Sequence, residues 1–486
     1  MALRILNTQT HQKEDFVTLA PGVVRMYVCG PTVYDLLHIG NFRGPIFFNL
    51  VRNWLEKSGY KVEYAYNYTD VDDKIIQRAN EVGMDPGELS AKYIGEFEKD
   101  FAAMDLKPHT HNPRVTTAME PIKKMIGDLV ERGKAYVAKD GEVLYSVRSF
   151  DGYGKLSGRN IDDLLSGSRV EVDPKKRDPL DFALWKPAKP GEPKWTSPWC
   201  DGRPGWHIEC SAMVQNIFGD SIDIHGGGTD LIFPHHENEI AQSEGASGKP
   251  FARYWMHNAM LTFGEKKMSK SLGNIMSARE FLWKYDAEIL KFMMLTVHYR
   301  SLCSFSPEAM GSAVGGLAKF YSALSLAEKI AAAGVAPGAV PAAFAGSLKE
   351  AEAQITEALN DDFNTPVMFA ALYSVLKGFN SAVRAGAKVT PEFSAAAKAF
   401  RSFMLTQGEL LALFQQPAQS YLHSLDDRLL EEKGLSRTDV DAKVAARAEV
   451  RAAKDFKKSD ELRDELVKLG IALYDSAQGT AWEVAK

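Results

Sequence analysis

Four side chains of the types that bind transition metals occur at Cys29, Cys210, His235 and Glu239. Cys29 ends the apolar run 23–28, which predicts a buried strand, and Cys210 lies in the sequence GWHIECSAM, which predicts the start of a helix. His235 and Glu239 are four residues apart, so on a helix they would share one face. Two thiolates, an imidazole and a carboxylate suit Zn²⁺. The set therefore predicts a zinc site, although a free cysteine is most often a small buried hydrophobic residue.

The sequence His38-Ile39-Gly40-Asn41 predicts a phosphate-binding helix N-terminus. It follows the first strand and the loop 30–35, and apolar residues at helical spacing follow it as far as Leu55. His38 and Asn41 would then lie where backbone N–H groups and the helix dipole favour an anion. Taken alone, the same residues are also compatible with an ordinary helix cap and a surface histidine.

A lysine-rich segment, residues 266–274 with the sequence KKMSKSLGN, predicts a mobile cationic loop. Flexible ammonium groups such as those of Lys267 and Lys270 can follow the charge of a pyrophosphate as it develops during displacement at an α-phosphate. A short basic run is also compatible with a solvated loop that has no such role.

Together, HIGN and KMSKS resemble the two signature motifs of the class I aminoacyl-tRNA synthetases. Within that class the chain is similar, nearly end to end, to the cysteinyl-tRNA synthetase family. The resemblance implies that the four residues described first are zinc ligands, with one zinc per chain. The segments that carry it include residues 26–35, 67–76, 178–186, 202–210, 223–228 and 233–243.

The resemblance also implies a two-step reaction. The carboxylate of L-cysteine attacks the α-phosphate of Mg²⁺-bound ATP, which gives cysteinyl-adenylate and pyrophosphate, and the cysteinyl group then passes to the 3′ end of tRNA(Cys). His38 and Asn41 would stabilise the phosphates, and Lys267 and Lys270 would hold the pyrophosphate. Zinc would select the substrate thiolate. The other expected contacts are Gly40, Gly226, Gly227 and Asp230 with ATP, and Thr69, Trp206 and His225 around the cysteine.

The elements that position these residues predict an α/β fold class. Apolar strands and amphipathic helices alternate, a Pro/Lys-rich stretch interrupts the pattern, and the chain beyond Phe305 is almost wholly helical. We expect a Rossmann-type parallel-sheet catalytic domain split by an insertion, then an all-α helical domain and a small C-terminal domain. The predicted bounds are 1–121 and 201–305 for the catalytic domain, 122–200 for the insertion, 306–415 for the helical tRNA-binding domain and 421–486 for the C-terminal anticodon-binding domain.

Basic residues recur at helical spacing near the C-terminus, at positions 443, 447, 451, 454 and 458. This pattern predicts one basic stripe, although neighbouring acidic residues make a solvated face the simpler interpretation of charge alone. The resemblance favours contact with tRNA. The expected tRNA-binding residues are Lys443, Arg447, Arg451 and Trp482.

Composition excludes several classes of protein. With 486 residues, 45% hydrophobic and 25% charged, the chain is typical of a globular protein of several domains. The chain has a net charge of −5, the same sign as RNA. Any RNA-binding surface must therefore be a local patch of basic residues. We expect no secretory signal, because residues 1–20 contain no apolar h-region. No apolar stretch approaches about 20 residues, and four cysteines argue against a disulfide framework. We expect a cytoplasmic protein with no membrane partner; the resemblance implies a monomer.

Three other functions compete with this interpretation. A zinc metallohydrolase of the HExxH type would need a histidine at position 240, where Ile240 stands. A ligase that joins cysteine to a small amino-sugar acceptor would keep the zinc site and both phosphate motifs, but has no need of the long extension beyond Phe305. A non-catalytic RNA-binding module would not need HIGN, KMSKS and a metal site together.

Overall fold

The computed structural model describes residues 2–160, 173–263, 276–476 and 479–486, together with the backbone of residues 266 and 267. The chain forms two compact units. The first contains residues 1–278, 297–304 and 355–368, and the second contains residues 279–296, 305–354 and 369–486. Among the described residues, no helix is both long enough and apolar enough to cross a membrane.

The strands are short and most belong to the first unit. In chain order they are β1 (Arg4–Asn7), β2 (Gln12–Asp15), β3 (Val23–Val28), β4 (Lys61–Tyr66), β5 (Ala135–Val137), β6 (Val143–Tyr145), β7 (Phe182–Pro187), β8 (Gly202–Pro204), β9 (Ile222–Gly228), β10 (Ala252–Asn258), β11 (Leu261–Phe263), β12 (Lys266–Lys267), β13 (Cys303–Phe305), β14 (Ile471–Ser476) and β15 (Gly479–Val484).

The α-helices are distributed over both units. In chain order they are α1 (Arg43–Lys57), α2 (Asp73–Val82), α3 (Pro86–Ala103), α4 (Met119–Glu131), α5 (Trp206–Phe218), α6 (Glu237–Ser247), α7 (Ala278–Lys284), α8 (Ala287–Leu295), α9 (Pro307–Ala332), α10 (Ala342–Asn360), α11 (Thr365–Ala382), α12 (Pro391–Leu411), α13 (Ala418–Glu432), α14 (Arg437–Ala452) and α15 (Phe456–Lys468).

The central sheet of the first unit is parallel and has the strand order β10-β9-β3-β4. The chain passes from β3 to its neighbour β4 and later adds β9 on the opposite side of β3, so the order reverses between β3 and β9. In open α/β sheets a ligand binds outside the carboxyl ends of the strands at such a reversal. Cys29 directly follows β3, which places it at this point. The predicted α/β class with a parallel sheet is confirmed.

An antiparallel sheet with the order β5-β6-β7-β8 interrupts the parallel one, as the Pro/Lys-rich stretch indicates. Its buried residues, such as Val143 and Trp185, belong to the same hydrophobic core as Ile208 of α5 and Ile240 of α6. The inserted sheet and the helices that follow it are therefore held together by one continuous apolar interior. This interior also positions the start of α5, which directly follows β8.

The second unit is helical except for the hairpin β14–β15, whose strands pair from Ile471 with Val484 to Ser476 with Gly479. Within this unit α8 packs against α9, so residues 287–295 contribute to its helical core. The predicted domain bounds stay a prediction.

A buried carboxyl group in this helical unit gives it a pH-dependent stability. The Tyr321 hydroxyl donates to Glu288 Oε1 at 2.9 Å and the Phe414 N–H donates to Oε2 at 2.9 Å. Burial raises the pKa of Glu288 to about 7, against the opposing effect of the Phe414 N–H. The pKa of Glu288 is higher in the folded chain than in the unfolded chain. Between these two pKa values the folded chain therefore keeps a proton on Glu288 that the unfolded chain has released. The stability linked to this proton is present below that ordinary value and is lost as pH rises to about 7.

We therefore expect Glu288→Gln, which cannot ionise, to become progressively more stable than the wild type between pH 5 and pH 8. The gain should reach about 3 kcal/mol at pH 8, because the pKa rises from 4.5 to about 7 and each unit corresponds to about 1.4 kcal/mol. Thermal unfolding at several pH values measures it. Glu350→Gln, at an exposed position of α10, should show no such trend. Equal pH profiles for Glu288→Gln and the wild type would contradict the assignment.

The predicted single basic stripe near the C-terminus is wrong. Helix α14 ends at Ala452, Lys454 has a φ of +62° in the turn that follows, and Lys458 lies on the next helix. Within α14, Arg447 is buried and forms a bidentate ion pair with Asp475 of the hairpin, with N–O distances of 2.8 and 2.9 Å. Arg447 holds the hairpin to the helix and is not available to a phosphate group.

Candidate functional site

The structure brings the four predicted metal ligands together. Cys29 Sγ lies 3.7 Å from Cys210 Sγ, 3.6 Å from His235 Nε2 and 3.4 Å from Glu239 Oε1. His235 Nε2 is 2.9 Å from Glu239 Oε1. All four donor atoms lie within 4.8 Å of one another, and all except Cys29 belong to buried residues. This is the geometry of a site that could hold one metal ion.

Each ligand comes from a different local structure. Cys29 follows β3. Cys210 lies in the first turns of α5, where all residues from Ile208 to Val214 are buried. His235 and Glu239 were expected on one continuous helix. Instead, His235 lies in a π-helical turn, and Glu239 lies in the first turn of α6. Phe233, inside this segment (Ile232–His236), has non-helical backbone angles, with φ of −137° and ψ of 132°. The side chains of His235 and Glu239 still meet.

Proton positions in the cluster follow from its burial and its charges. Burial raises the pKa of Cys29 well above its usual value, while the hydrogen bond from the Cys29 thiol lowers the pKa of Cys210 to about 6. Burial lowers the pKa of His235, but the charges and hydrogen bonds of Glu239 and Cys210 together outweigh it and raise that pKa to about 10. Burial raises the pKa of Glu239, and the opposing effects of His225 and His235 bring it well below its usual value. A metal ion at these atoms would displace the remaining protons.

Aromatic and polar groups surround the ligands and fix their orientation. His225 Nε2 lies 2.8 Å from Glu239 Oε2, the oxygen that faces away from Cys29. Trp206 stacks on the His235 ring at 4.3 Å and an interplanar angle of 22°, and His207 Nδ1 lies 3.0 Å from His235 Nδ1. Trp206 is 39% exposed, so it forms the solvent side of the site, whereas His225 is fully buried behind Glu239.

A second combination of donors, Cys29 with His225, His236 and Glu239, is also compact enough for a metal ion. His236 Nε2 lies 3.3 Å from Cys29 Sγ, but its other nitrogen is 2.8 Å from His257 Nε2. His225 is already bonded to Glu239. We favour the set with Cys210 because it contains two sulfur donors and leaves these histidines as supporting partners.

The HIGN segment lies in the connection that also contains Cys29, between β3 and the helix that follows it. Residues 39–42 form a 3₁₀ turn that continues into α1. The His38 N–H donates to Asn41 Oδ1 at 3.0 Å, so the Asn41 amide nitrogen remains on the other side as a donor. A Cβ at position 40 would meet the His38 ring at 3.0 Å, and glycine lets the ring lie against the backbone. The predicted helix N-terminus is confirmed.

Lys270 of the KMSKS segment lies outside the described residues, and of Lys267 only the backbone is described, paired with Thr262. The residues that follow the segment are described and join the HIGN region. Ile39 N–H donates to the Met276 carbonyl at 3.2 Å, and Ala278 N–H donates to the Leu37 carbonyl at 2.9 Å. Backbone hydrogen bonds therefore join residues 276–278, which follow the KMSKS segment, to residues 37–39 at the start of the HIGN region.

The three glycines after His225 continue strand β9. A Cβ on Gly226 would lie 2.3 Å from the Phe48 ring, and one on Gly227 would lie 2.9 Å from the His236 ring. These glycines are thus required by packing, which the sequence did not predict. Asp230 lies beyond them in an exposed 3₁₀ turn.

Thr69 belongs to a chain of buried hydrogen bonds close to the metal donors. The Gly30 N–H donates to Asn67 Oδ1 at 2.8 Å, Asn67 Nδ2 donates to Thr69 Oγ1 at 3.4 Å, and that hydroxyl donates to Glu209 Oε2 at 3.3 Å. Glu209 and Trp206 line one cavity of about 260 Å³. Trp206 thus lines this cavity directly, whereas Thr69 is buried and is linked to the cavity through its hydrogen bond to Glu209.

Several contributors were not predicted from the sequence. His207 and Glu209 flank the Cys210 ligand in the sequence WHIEC, which was a usable signal. His257 had no local signal, because its place opposite Gly227 depends on the pairing of β9 with β10. Asn67 was also missed, although it directly follows the strand β4.

Comparison with known proteins agrees with this geometry. Residues 15–315 match the family model described as the class I (C) tRNA synthetase catalytic domain, and residues 354–415 match the DALR domain. Methionyl-tRNA synthetase from Mycobacterium tuberculosis, solved with methionyl-adenylate, has the same fold with a TM-score of 0.62 at 15% identity, over 86% of this chain and 94% of that one. The fold and the site thus define a class I aminoacyl-tRNA synthetase.

The curated relatives narrow the family further. The chain is 60% identical to cysteine–tRNA ligase of Bdellovibrio bacteriovorus and 45% identical to that of Geobacter sulfurreducens, in both cases over 100% of each chain. It belongs to the family of cysteine–tRNA ligases.

Proposed function

We propose that this enzyme activates L-cysteine with Mg²⁺-bound ATP and transfers the cysteinyl group to the 3′ end of tRNA(Cys). The observation that carries the proposal is the meeting of two thiol ligands, an imidazole and a carboxylate at the reversal of strand order in a parallel sheet. The HIGN segment lies in the same connection as one of these ligands, Cys29. Selective activation of cysteine needs both an adenylate site and a thiol-binding site. Residues proposed for both sites lie at the carboxyl edge of the parallel sheet.

The donor set fits zinc. With Zn–S and Zn–N bonds of about 2.3 and 2.0 Å, a tetrahedral site has S–S edges of about 3.8 Å and S–N edges of about 3.6 Å. The corresponding distances from Cys29 to Cys210 and His235 are 3.7 and 3.6 Å. The His235–Glu239 contact of 2.9 Å is shorter because the two groups bond directly. A zinc ion held there supplies a Lewis acid that prefers a thiolate to a hydroxyl as its further ligand.

The chain's own residues account for adenylate formation. His38 and the free side of the Asn41 amide, at the start of the helix, contribute donors to the phosphates, and the helix dipole adds to them. Lys267 and Lys270 hold the departing pyrophosphate, and Gly40, Gly226, Gly227 and Asp230 line the adenosine side. Their role is to stabilise charge that develops on the phosphates, which requires fixed donors rather than a general base.

Cysteine-dependent ATP–pyrophosphate exchange, followed by cysteine transfer to tRNA, tests this function. The purified chain should catalyse both. The 60% identity over full length, and a DALR match in the region beyond Phe305, do not support the small amino-sugar acceptor. Transfer of cysteine to an amino sugar and not to tRNA would overturn the proposal.

We also propose that the C-terminal part of the chain contacts tRNA through Lys443, Arg451 and Trp482. Arg451 and Arg447 bind the same carboxylate, Asp475, but their side chains are 50% and 4% exposed. Lys443 is paired with Glu465, and Arg437 lies over the Trp482 ring at 4.7 Å. The exposed cations can exchange these partners for phosphate groups, whereas buried Arg447 cannot.

The arginine pair gives a matched test. Arg451→Ala should weaken tRNA binding and reduce the slope of log K against log salt by up to about 0.9, with little change in melting temperature. Arg447→Ala should instead lower the unfolding free energy by about 1–3 kcal/mol, because a buried charged hydrogen-bond donor is lost. Binding titrations at several salt concentrations and thermal melts distinguish them. If Arg451→Ala binds tRNA as well as the wild type does, Arg451 faces solvent and does not contact tRNA.

A further inference from the structure

The hydrogen-bond chain from Gly30 ends on a buried carboxylate. Because Asn67 Oδ1 accepts the Gly30 N–H, its amide nitrogen is the group that donates to Thr69 Oγ1. The Thr69 hydroxyl must then use its own proton for Glu209 Oε2, 3.3 Å away. Every donor in this chain points towards Glu209, which is fixed as its final acceptor.

Glu209 has no cationic partner in the described part of the chain. The residue is 1% exposed, whereas the basic groups that line the same cavity, Lys186 and Arg203, are paired with Asp73. No ion pair between described residues involves Glu209. A carboxylate buried in this way is costly unless a cation compensates it. A cation that entered this cavity from outside the chain would meet a carboxyl group that no cation of the described chain compensates.

A short series of contacts connects this carboxyl group to the metal donors. Glu209 precedes Cys210 in α5, and Asn67 Oδ1 lies 3.9 Å from Cys210 Sγ. Trp206, which stacks on the ligand His235, lines the same cavity as Glu209. In cysteine the amino nitrogen is separated from the sulfur by two carbons, roughly 3 Å with standard bond lengths.

We infer that Glu209, oriented by Thr69, binds the α-ammonium group of the substrate cysteine. The inference rests on the proposed function and deepens it, because it gives the site a second point of recognition besides the thiol. A charge-assisted hydrogen bond from the ammonium supplies the missing cation. Thiols without a neighbouring ammonium, such as 3-mercaptopropionate or N-acetylcysteine, lose this contact and bind through sulfur alone.

Glu209→Gln tests the inference, because it keeps the shape of the side chain and removes its charge. In ATP–pyrophosphate exchange with the metal-loaded enzyme, its KM for cysteine should rise between about 10- and 100-fold, the usual range for a lost charged hydrogen bond, with kcat changed only a few-fold. Inhibition by 3-mercaptopropionate, which has no amino group, should stay within about two-fold of the wild type, and so should metal content.

Asp72→Asn is the matched control. Asp72 lines the same cavity, but its carboxylate caps α2 by accepting from the Lys74 N–H, a task that asparagine also performs. Its KM should stay within about three-fold of the wild type. A rise equal to that of Glu209→Gln would assign recognition to the general negative charge of the cavity and overturn the role of Glu209.

The other outcomes are equally decisive. An active wild type with an unchanged KM in Glu209→Gln overturns this inference alone, whereas a wild type without cysteine-dependent exchange overturns the proposed function too. Loss of inhibition by 3-mercaptopropionate in parallel with the rise in KM would mean that Glu209 maintains the metal site and does not bind the ammonium group.

If Glu209→Gln does not fold, Glu209→Asp replaces it, and wild type and variant are compared with cysteamine and ethanethiol. Cysteamine should inhibit the wild type at least 10-fold better than ethanethiol; equal inhibition would overturn the inference.

Discussion

Cys210→Ser should lose both the bound zinc and nearly all cysteine activation. The substitution replaces one of two sulfur donors, whose atoms lie 3.7 Å apart, by a hydroxyl that is a poor zinc ligand. Changes in groups that merely support a ligand typically cost 10- to 100-fold in metal affinity, so loss of a ligand should cost more than about 100-fold. Metal analysis after dialysis against a chelator, and the rate of cysteine-dependent ATP–pyrophosphate exchange, measure the two effects.

Cys200 and Cys303 provide the controls for this prediction. The Cys200 thiol donates to the Gly141 carbonyl in the inserted sheet, and Cys303 is buried in β13. Serine at either position should leave zinc content and cysteine activation near the wild-type values. Full zinc occupancy in Cys210→Ser, or loss of zinc in Cys200→Ser, would show that the ligand set is wrong.

Serine should be activated at least ~10⁴-fold less efficiently than cysteine. The two amino acids are nearly isosteric, and a pocket that discriminates by size or apolar contact achieves only about 10²-fold for such pairs. A metal ligand discriminates by chemistry, because a thiol ionises on zinc far more readily than an alcohol. The ratio of kcat/KM values in ATP–pyrophosphate exchange gives the discrimination directly.

This selectivity should need no hydrolysis of wrong products. If activation alone separates cysteine from serine, the chain should not deacylate seryl-tRNA faster than the spontaneous rate. Measured hydrolysis of seryl-tRNA by the wild type, or a ratio near 10² at the activation step, would contradict selection through the metal.

The sequence predicted the parts of the fold that depend on local patterns. The apolar run 23–28 predicted the strand before Cys29, and this strand is present. Helical spacing of apolar residues predicted the helix that follows HIGN and ends at Lys57, and it is present too. Gly59, with a φ of +94°, has the positive φ expected of a glycine after a helix. These features are set by residues within a few positions of one another, so a single sequence carries them.

Features set by distant pairing were not predictable in the same way. Strand β9 continues through Gly226, Gly227 and Gly228 because these residues pair with β10, whereas glycines after a strand usually indicate a turn. The basic stripe failed for a related reason. Helical spacing does not reveal the break at Lys454, or that Asp475, 28 residues further on, binds Arg447. The supporting role of His225 likewise depends on where Glu239 lies.

X-ray absorption at the zinc edge, with and without substrate, tests the central claim most directly. The zinc-loaded enzyme should show two sulfur neighbours, from Cys29 and Cys210, at about 2.3 Å. Addition of cysteine should raise the sulfur count to three at the same distance, and addition of serine should leave it at two. An unchanged sulfur count with saturating cysteine would contradict the account, because the substrate thiol would then not be recognised by the metal.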